Sequence, residues 1–294
     1  MSNENGPVAN SAQIVVLRPD QLPDIPKVDR TILSRKKIVK ADWRNRNFID
    51  LNALATEFDG CDFRYSNFER GYFRDAKFTN CRFDGARFSN CNFKSANFYK
   101  CDLKFVSFRQ CLLEVKDVIA SLPSEPNIRR EALQNLRANA MEMGDYESQG
   151  LLVLEEIEAA KLHYSYALRG YDSYHKKKYS TAFSKFRAGM KLGWLHANGL
   201  IWGHGEKSGR LLLSAAALLC VLALINFWSV MPRVGWIESK GGLKALEYVV
   251  QLFLDMSPDV KFKGYVAVDY LVVLMRYVYI GLFISVLYKS ISHR

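Results

Sequence analysis

The chain has no GxxxxGK[S/T] loop, no HExxH helix and no GxSxG turn, so the residue sets that cradle phosphates, hold a catalytic zinc or activate a serine are missing. Histidine is scarce: the five present, His163, His175, His196, His204 and His293, have no metal-ligand spacing and are expected at surface or interface positions. No CxxC pair occurs, which removes zinc knuckles and dithiol redox centres. No cofactor and no enzymatic activity are expected. Acidic residues are outnumbered, 30 Asp and Glu against 41 Lys and Arg, for a formal charge of +11. That excess suits an anionic membrane surface or the cytoplasmic side of a membrane protein. No apolar signal core opens the chain; Pro7, Pro19, Pro23 and Pro26 crowd a polar stretch, and residues 1–37 are expected as a largely disordered tail.

What is present is a period of five. From Phe58 a bulky apolar residue returns at Phe63, Phe68, Phe73, Phe78, Phe83, Phe88, Phe93, Phe98, Leu103, Phe108 and Leu113. A small residue precedes each by two places, among them Cys61, Ser66, Gly71, Ala76, Cys81, Ala86 and Cys91. Helices repeat at about 3.6 residues and strands at about 2, so neither explains this register; a fixed internal period signals a solenoid whose repeats bury a face against their neighbours. Weaker copies run back through Phe48 and Trp43 to Ile38, which places the solenoid at 38–114. Five of the six cysteines fall on the small position, where they act as core filler in a reducing compartment.

Residues 115–210 have helical spacing and form a connector. Pro123 and Pro126 break the repeat; Leu133, Leu136, Ala140 and Met143 line one helix face, and Leu151, Leu154, Ile157 and Leu162 a second, with Gly144-Asp145 turning between them. Glu155, Glu156 and Glu158 are expected on the solvated exterior. Residues 171–210 are aromatic and basic. Leu211 to Met231 then carries no charge, and its 21 residues match a hydrocarbon core about 30 Å thick. A second span is expected at about 268–288, its apolar run Tyr270 to Tyr288 carrying one charge, Arg276, and a short apolar helix at 243–256 is expected to be re-entrant or interfacial. The basic flank before Leu211 and the Lys289…Arg294 end place both termini in the cytoplasm, in a multi-pass inner (plasma) membrane topology.

Arg276 stands alone in an apolar run, and Asp269 lies seven residues earlier on the same helix face. Such a charge needs a partner, water or a bundle interior. The two readings are pairing with Asp269 of a neighbouring subunit or snorkelling, and a pore-lining or gating role. Asn226 is expected to make an interhelical hydrogen bond.

The small–polar–bulky repeat, as in Ala76-Lys77-Phe78, Ala86-Arg87-Phe88, Cys91-Asn92-Phe93 and Ala96-Asn97-Phe98, resembles the pentapeptide-repeat proteins. The resemblance implies a right-handed quadrilateral β-helix with four pentapeptides per coil. Residues twenty apart would then stack about 4.8 Å apart, in ladders such as Phe58–Phe78–Phe98, Phe68–Phe88–Phe108 and Cys61–Cys81–Cys101. Some members of that family mimic DNA and bind type II topoisomerases. Residues 57–110 hold ten Lys and Arg against seven Asp and Glu, so a DNA mimic is the least favoured reading, and nucleic acid is not expected as a partner.

Gly203-His204-Gly205-Glu206-Lys207-Ser208-Gly209-Arg210, followed by span, linker, short helix and span, resembles bacterial proteins that join pentapeptide repeats to a two-span pore module of the potassium-channel superfamily. Gly144-Asp145-Tyr146 is similar to the connector of the same architecture. The resemblance implies a homo-oligomer, a tetramer by analogy, seated in membrane lipid. The filter position departs from the family: Leu254-Asp255-Met256-Ser257-Pro258-Asp259 replaces a Thr-Val-Gly-Tyr-Gly-type strand, and selectivity would rest on side-chain charge. Asp255, Ser257, Asp259, Asp269 and Arg276 are the pore or gating candidates. The expected function is an ion-channel-like sensor or effector of membrane permeability in stress or defence, with an unidentified cytoplasmic protein partner. The competing expectation is a non-conducting, membrane-anchored interaction scaffold.

Overall fold

The computed structural model describes residues 16–17, 27–205, 208–234, 241–258 and 266–292. The chain divides into two units, Met1–Lys178 and Tyr179–Arg294.

The first unit opens as a four-turn β-solenoid. Its strands are β1 (Val16–Leu17), β2 (Lys27–Asp29), β3 (Lys37–Val39), β4 (Asn47–Ile49), β5 (Glu57–Asp59), β6 (Asn67–Glu69), β7 (Lys77–Thr79), β8 (Arg87–Ser89), β9 (Asn92–Phe93), β10 (Asn97–Tyr99), β11 (Ser107–Arg109) and β12 (Leu112–Leu113). They form parallel sheets in the orders β1-β3-β5-β7-β10, β2-β4-β6-β8-β11 and β9-β12. Phe58 pairs with Phe78 and Phe78 with Phe98, the twenty-residue register expected from the repeat. Every fifth residue from Arg30 to Gln110 turns a corner at positive φ, and only Gly60 and Gly85 among them are glycines. Asn and Asp fill several others (Asn45, Asp50, Asp75, Asn80, Asn90), the side chains that tolerate this region best.

All the predicted bulky residues from Phe58 to Phe108 are buried, while Leu113 at the last coil is half-buried against the core. Their rings stack along each ladder, with centroids 5.0 Å apart for Phe58–Phe78 and Phe78–Phe98 and 4.7 Å for Phe68–Phe88. Neighbouring columns meet edge-on, as Phe78 and Phe83 do at 79°. The cysteines of this column are free thiols, and each donates to a carbonyl of the preceding coil, Cys81 Sγ to Phe58 O at 3.5 Å. The stacked thiols of Cys101 and Cys61, and then burial, push the Cys81 thiol up, so it stays protonated and inert.

The solenoid begins earlier than residue 38. The ladder reaches back to Lys27–Asp29, and Val16–Leu17 pairs with Lys37–Ile38, both inside the stretch expected as a tail. The physical reason is that coil stacking is carried by backbone bonds such as Leu33 N–H to Asn52 O (2.7 Å), with Leu33 and Ile38 buried where later coils use phenylalanine. Leu51 and Ala53, poor copies of the motif, are buried as well.

A stacked solenoid ends on an open edge, and the helices that follow close it. Helix α1 (Val115–Ala120) buries Val115 and Val118 against the last coil. Pro126 starts α2 (Pro126–Glu142), whose Asn139 is buried and uses its amide as a further strand would: Oδ1 accepts from Cys111 N–H at 2.7 Å and Nδ2 donates to Cys111 O at 2.9 Å. One turn earlier, Asn135 Oδ1 accepts from Phe108 N–H at 2.8 Å.

Gly144, at positive φ, turns the chain into α3 (Tyr146–Arg169), which Asp145 caps through Ser148 N–H at 3.0 Å. Leu133, Leu136 and Ala140 face inward as expected, but Met143 is exposed. On α3 the expected leucine face is corrected. Leu162 is exposed, and the buried side is Leu152, Ala159, Ala160, His163 and Ala167. The small alanines let the two helices approach. Glu156 is also turned inward, its side chain 13% exposed between Arg130 and Arg137, rather than solvated.

The short helix α4 (Ser173–Lys178) belongs to the first unit, where it packs on α3. The second unit contains α5 (Ala182–Trp202), α6 (Ser208–Val234), α7 (Gly241–Phe253) and α8 (Val266–Ser292). Helix α7 packs on both α6 and α8 around Leu222, Ala223, Val249, Val268 and Val272. Two helices are long and apolar enough to cross a membrane: the windows Gly209–Trp228 and Val266–Tyr288 have mean hydropathies of 2.4 and 2.0, with 22% and 6% of residues buried.

Replacing Asn139 with Ala strips partners from two backbone groups of Cys111, and is expected to destabilise the first unit by about 2–4 kcal/mol. Met141→Ala, at an exposed site of the same helix, should shift stability by less than about 0.5 kcal/mol. Urea unfolding of both variants checks the difference.

Candidate functional site

Two charged residues of the second unit, Asp255 and Arg276, meet where α7 ends. Leu254 N–H bonds Val250 O at 2.9 Å and Met256 N–H reaches back to Gln251 O at 2.8 Å, while Asp255 takes a positive φ of 63°. That left-handed residue stops the helix, a place usually held by glycine and open to aspartate. It also aims the Asp255 carboxylate at α8, where it accepts from Arg276 Nη1 in a short ion pair. The Arg276 side chain is 12% exposed, against 82% for Asp255. Its guanidinium lies 5.0 Å from the Tyr277 ring centroid, and Nη2 donates to Tyr277 Oη at 3.3 Å.

Arg276 therefore has an acidic partner in its own chain, and that partner is Asp255 rather than Asp269. Asp269 belongs to another polar group, beside the Tyr248 hydroxyl. Its Oδ1 and the Oε1 of Gln251 are buried without a hydrogen-bond partner among the described residues. Asn226 is fully buried on α6. Ser257 is exposed just beyond Asp255, and Asp259 lies outside the described residues. Of the five candidates, then, Asp255 and Arg276 are brought together and Asp269 is set apart. Tyr279 Oη donates to Ser214 Oγ at 3.1 Å, tying α8 to α6.

In the first unit a buried polar chain runs from α4 to α3, which sequence reading missed. His163 and His175, expected at surface or interface positions, are buried. Asp172 Oδ1 lies 2.8 Å from His175 Nδ1, and His175 Nε2 lies 3.0 Å from His163 Nδ1. Asp172 also accepts from the backbone N–H of His175 at 2.7 Å, which holds α4 in place. One proton between the two rings makes a hydrogen bond; two would repel. Burial first, then the charges of His175, Lys178 and Arg130, depress the His163 pKa from 6.5 to about 4, with Asp172 opposing. No group of three or more His, Cys, Asp or Glu suited to a metal ion occurs among the described residues.

Residues 55–121 match the family model described as pentapeptide repeat region, and this part of the chain is a pentapeptide-repeat domain. Among solved structures the chain is similar to a pentapeptide repeat protein from the Arabidopsis thaliana thylakoid lumen, at 10% identity over 35% of this chain and 77% of that one, with a TM-score of 0.16. It is similar to HetL, a pentapeptide repeat protein involved in heterocyst differentiation regulation from the cyanobacterium Nostoc sp. strain PCC 7120, at 11% identity over 34% of this chain and 58% of that one, TM-score 0.16. A third is QnrB1, a plasmid-mediated fluoroquinolone resistance protein, at 16% identity over 30% of this chain and 65% of that one, TM-score 0.12. The chain thus spans less than two thirds of HetL and of QnrB1. No curated protein matches it.

The depressed His163 pKa gives a signed pH dependence. Above the unfolded value of about 6.5 both states are neutral at this residue and stability is flat. Between there and about 4 the unfolded state takes up the proton first, so stability falls as the pH drops through that window. Unfolding midpoints measured from neutral pH down to about pH 4 should show that loss, and His163→Gln should flatten it.

Proposed function

We propose that α6 and α8 cross a membrane as a two-span hairpin, that several copies enclose a cation-permeable pore, and that the β-solenoid is the cytoplasmic sensing part. The observation that carries this reading is the Asp255–Arg276 pair. Arg276 is the eleventh residue of the apolar window Val266–Tyr288, so in a spanning α8 it would sit near mid-depth. The ion pair then brings the end of α7 to the same depth. Thirteen residues make a helix about 20 Å long, enough to reach the middle of a core about 30 Å thick and too short to cross it.

At that depth Leu254–Ser257 is non-helical and exposed, and Asp255 presents a carboxylate. Irregular backbone and an open charge are not tolerated against lipid tails, and a lone arginine there costs about 3 kcal/mol. A water-filled lumen removes both penalties. Two spans cannot enclose one, so copies must associate; a tetramer is what the potassium-channel resemblance implies. The unpartnered oxygens of Asp269 and Gln251 fit the same picture, since lumen water or a neighbouring copy would supply donors. A ring of Asp255 carboxylates would favour cations, and without glycines from Leu254 to Pro258 to aim carbonyls, sodium and potassium would pass alike. The exposed Tyr65, Tyr99 and Phe105 on the solenoid favour a second reading, a membrane-held docking scaffold that does not conduct.

Liposomes holding the purified chain should leak sodium and potassium, and Asp255→Asn should cut cation flux several-fold while leaving oligomer mass in detergent unchanged. A stable oligomer that passes no ion under any condition would exclude the pore and leave the scaffold.

A further inference from the structure

Helix α5 carries an apolar face that nothing in the described part of its unit covers. Phe183, Phe186, Met190 and Trp194 fall at i, i+3, i+7 and i+11, one side of a helix. They are 74%, 65%, 62% and 70% exposed. The helix packs through its opposite side, where Ala188 and Gly199 are buried. Its charges are all positive, Lys185, Arg187 and Lys191, and Arg187 and Lys191 form the row beside the stripe, four and eight residues on from Phe183.

The carboxy-terminal end of α5 is fixed to the start of α6. Gly203, His204 and Gly205 turn the chain at φ of 60°, 61° and 81°. Arg210 Nη1 then donates to Gly199 O at 2.9 Å, and Ser214 Oγ donates to Ile201 O at 2.6 Å. The stripe is thus clamped beside the first turns of the more apolar of the two candidate spans.

We propose that α5 lies in the headgroup layer of an anionic leaflet on the side from which α6 enters, its stripe against the acyl chains and Arg187 and Lys191 on lipid phosphates. The proposal rests on the membrane reading of α6 and α8. A bulky aromatic face flanked by cations and free of acids is the composition of a helix that lies in the plane of a membrane. Tryptophan and phenylalanine fill the boundary layer, and the long basic stems extend to the phosphates. Continuity with α6 supplies the location.

The test uses the full chain in nanodiscs of phosphatidylcholine with or without phosphatidylglycerol. In a Cys220→Ser background, where the remaining cysteines are buried, Met190→Cys, Lys185→Cys and Leu224→Cys each receive a nitroxide. Collision rates with oxygen and with a water-soluble nickel chelate are then compared. Position 190 should resemble position 224, with an oxygen-to-nickel ratio several-fold above that at 185, and the ratio should rise when phosphatidylglycerol is present. Ready access of nickel to position 190, or exclusion of both reagents by a second copy or another protein, would overturn the proposal while a lipid-facing position 224 keeps the membrane reading intact. Nickel access at 224 would overturn both. An unchanged ratio between the two lipid compositions would overturn the role given to Arg187 and Lys191.

Discussion

Phenylalanine rings twenty residues apart lie nearly parallel, with centroids 4.7–5.4 Å apart, and this stacking sets the dimensions of the first unit. It can be kept only if each coil returns to its starting column after four sides, which forces a corner at every fifth residue. Those corners are left-handed at fifteen non-glycine positions, a conformation that costs about 1 kcal/mol or more each. A buried phenylalanine contributes about 2–3 kcal/mol. Most pentapeptides supply one of each, so the ladder holds the corners in a geometry they would not choose alone.

The two units solve different problems of unpaired polar groups. In the solenoid the unpaired groups are backbone, at the last coil, and Asn135 and Asn139 meet them with side-chain amides. In the helical unit they are side chains, Asp255 and Arg276, and each answers the other across α7 and α8. The first arrangement closes a surface. The second holds a charge at the end of a short helix, where the chain leaves regular structure.

What was legible in the amino acids depended on how the information is written. The ladder from Phe58 to Phe108 was plain, because bulky side chains carry its period directly. The coils before residue 38 were not, because Leu33 keeps the register there through a backbone hydrogen bond and a less emphatic side chain. The buried side of α3 was not legible for a related reason: its leucines carry the apolar periodicity, whereas close packing uses Ala159, Ala160 and Ala167. Asp255 and Arg276 are twenty-one residues apart with no shared periodicity, so their meeting follows from how α7 stops and not from any spacing. A local signal did exist for the stop, an aspartate followed by Ser257 and Pro258 at the end of an apolar run. The His163–His175 pair had none, because a turn at Gly170 brings the two rings together.

The amide seal at Cys111 has a consequence for how such a rod can change over time. Because Asn139 hydrogen-bonds Cys111 in the terminal coil, a twenty-residue duplication placed among the inner coils would leave the seal untouched while adding one rung about 4.8 Å high. An insertion that is not a multiple of twenty residues would rotate the terminal side away from the helix that closes it. Length in this molecule is therefore a quantised trait, free to drift in whole rungs and barred from drifting in fractions.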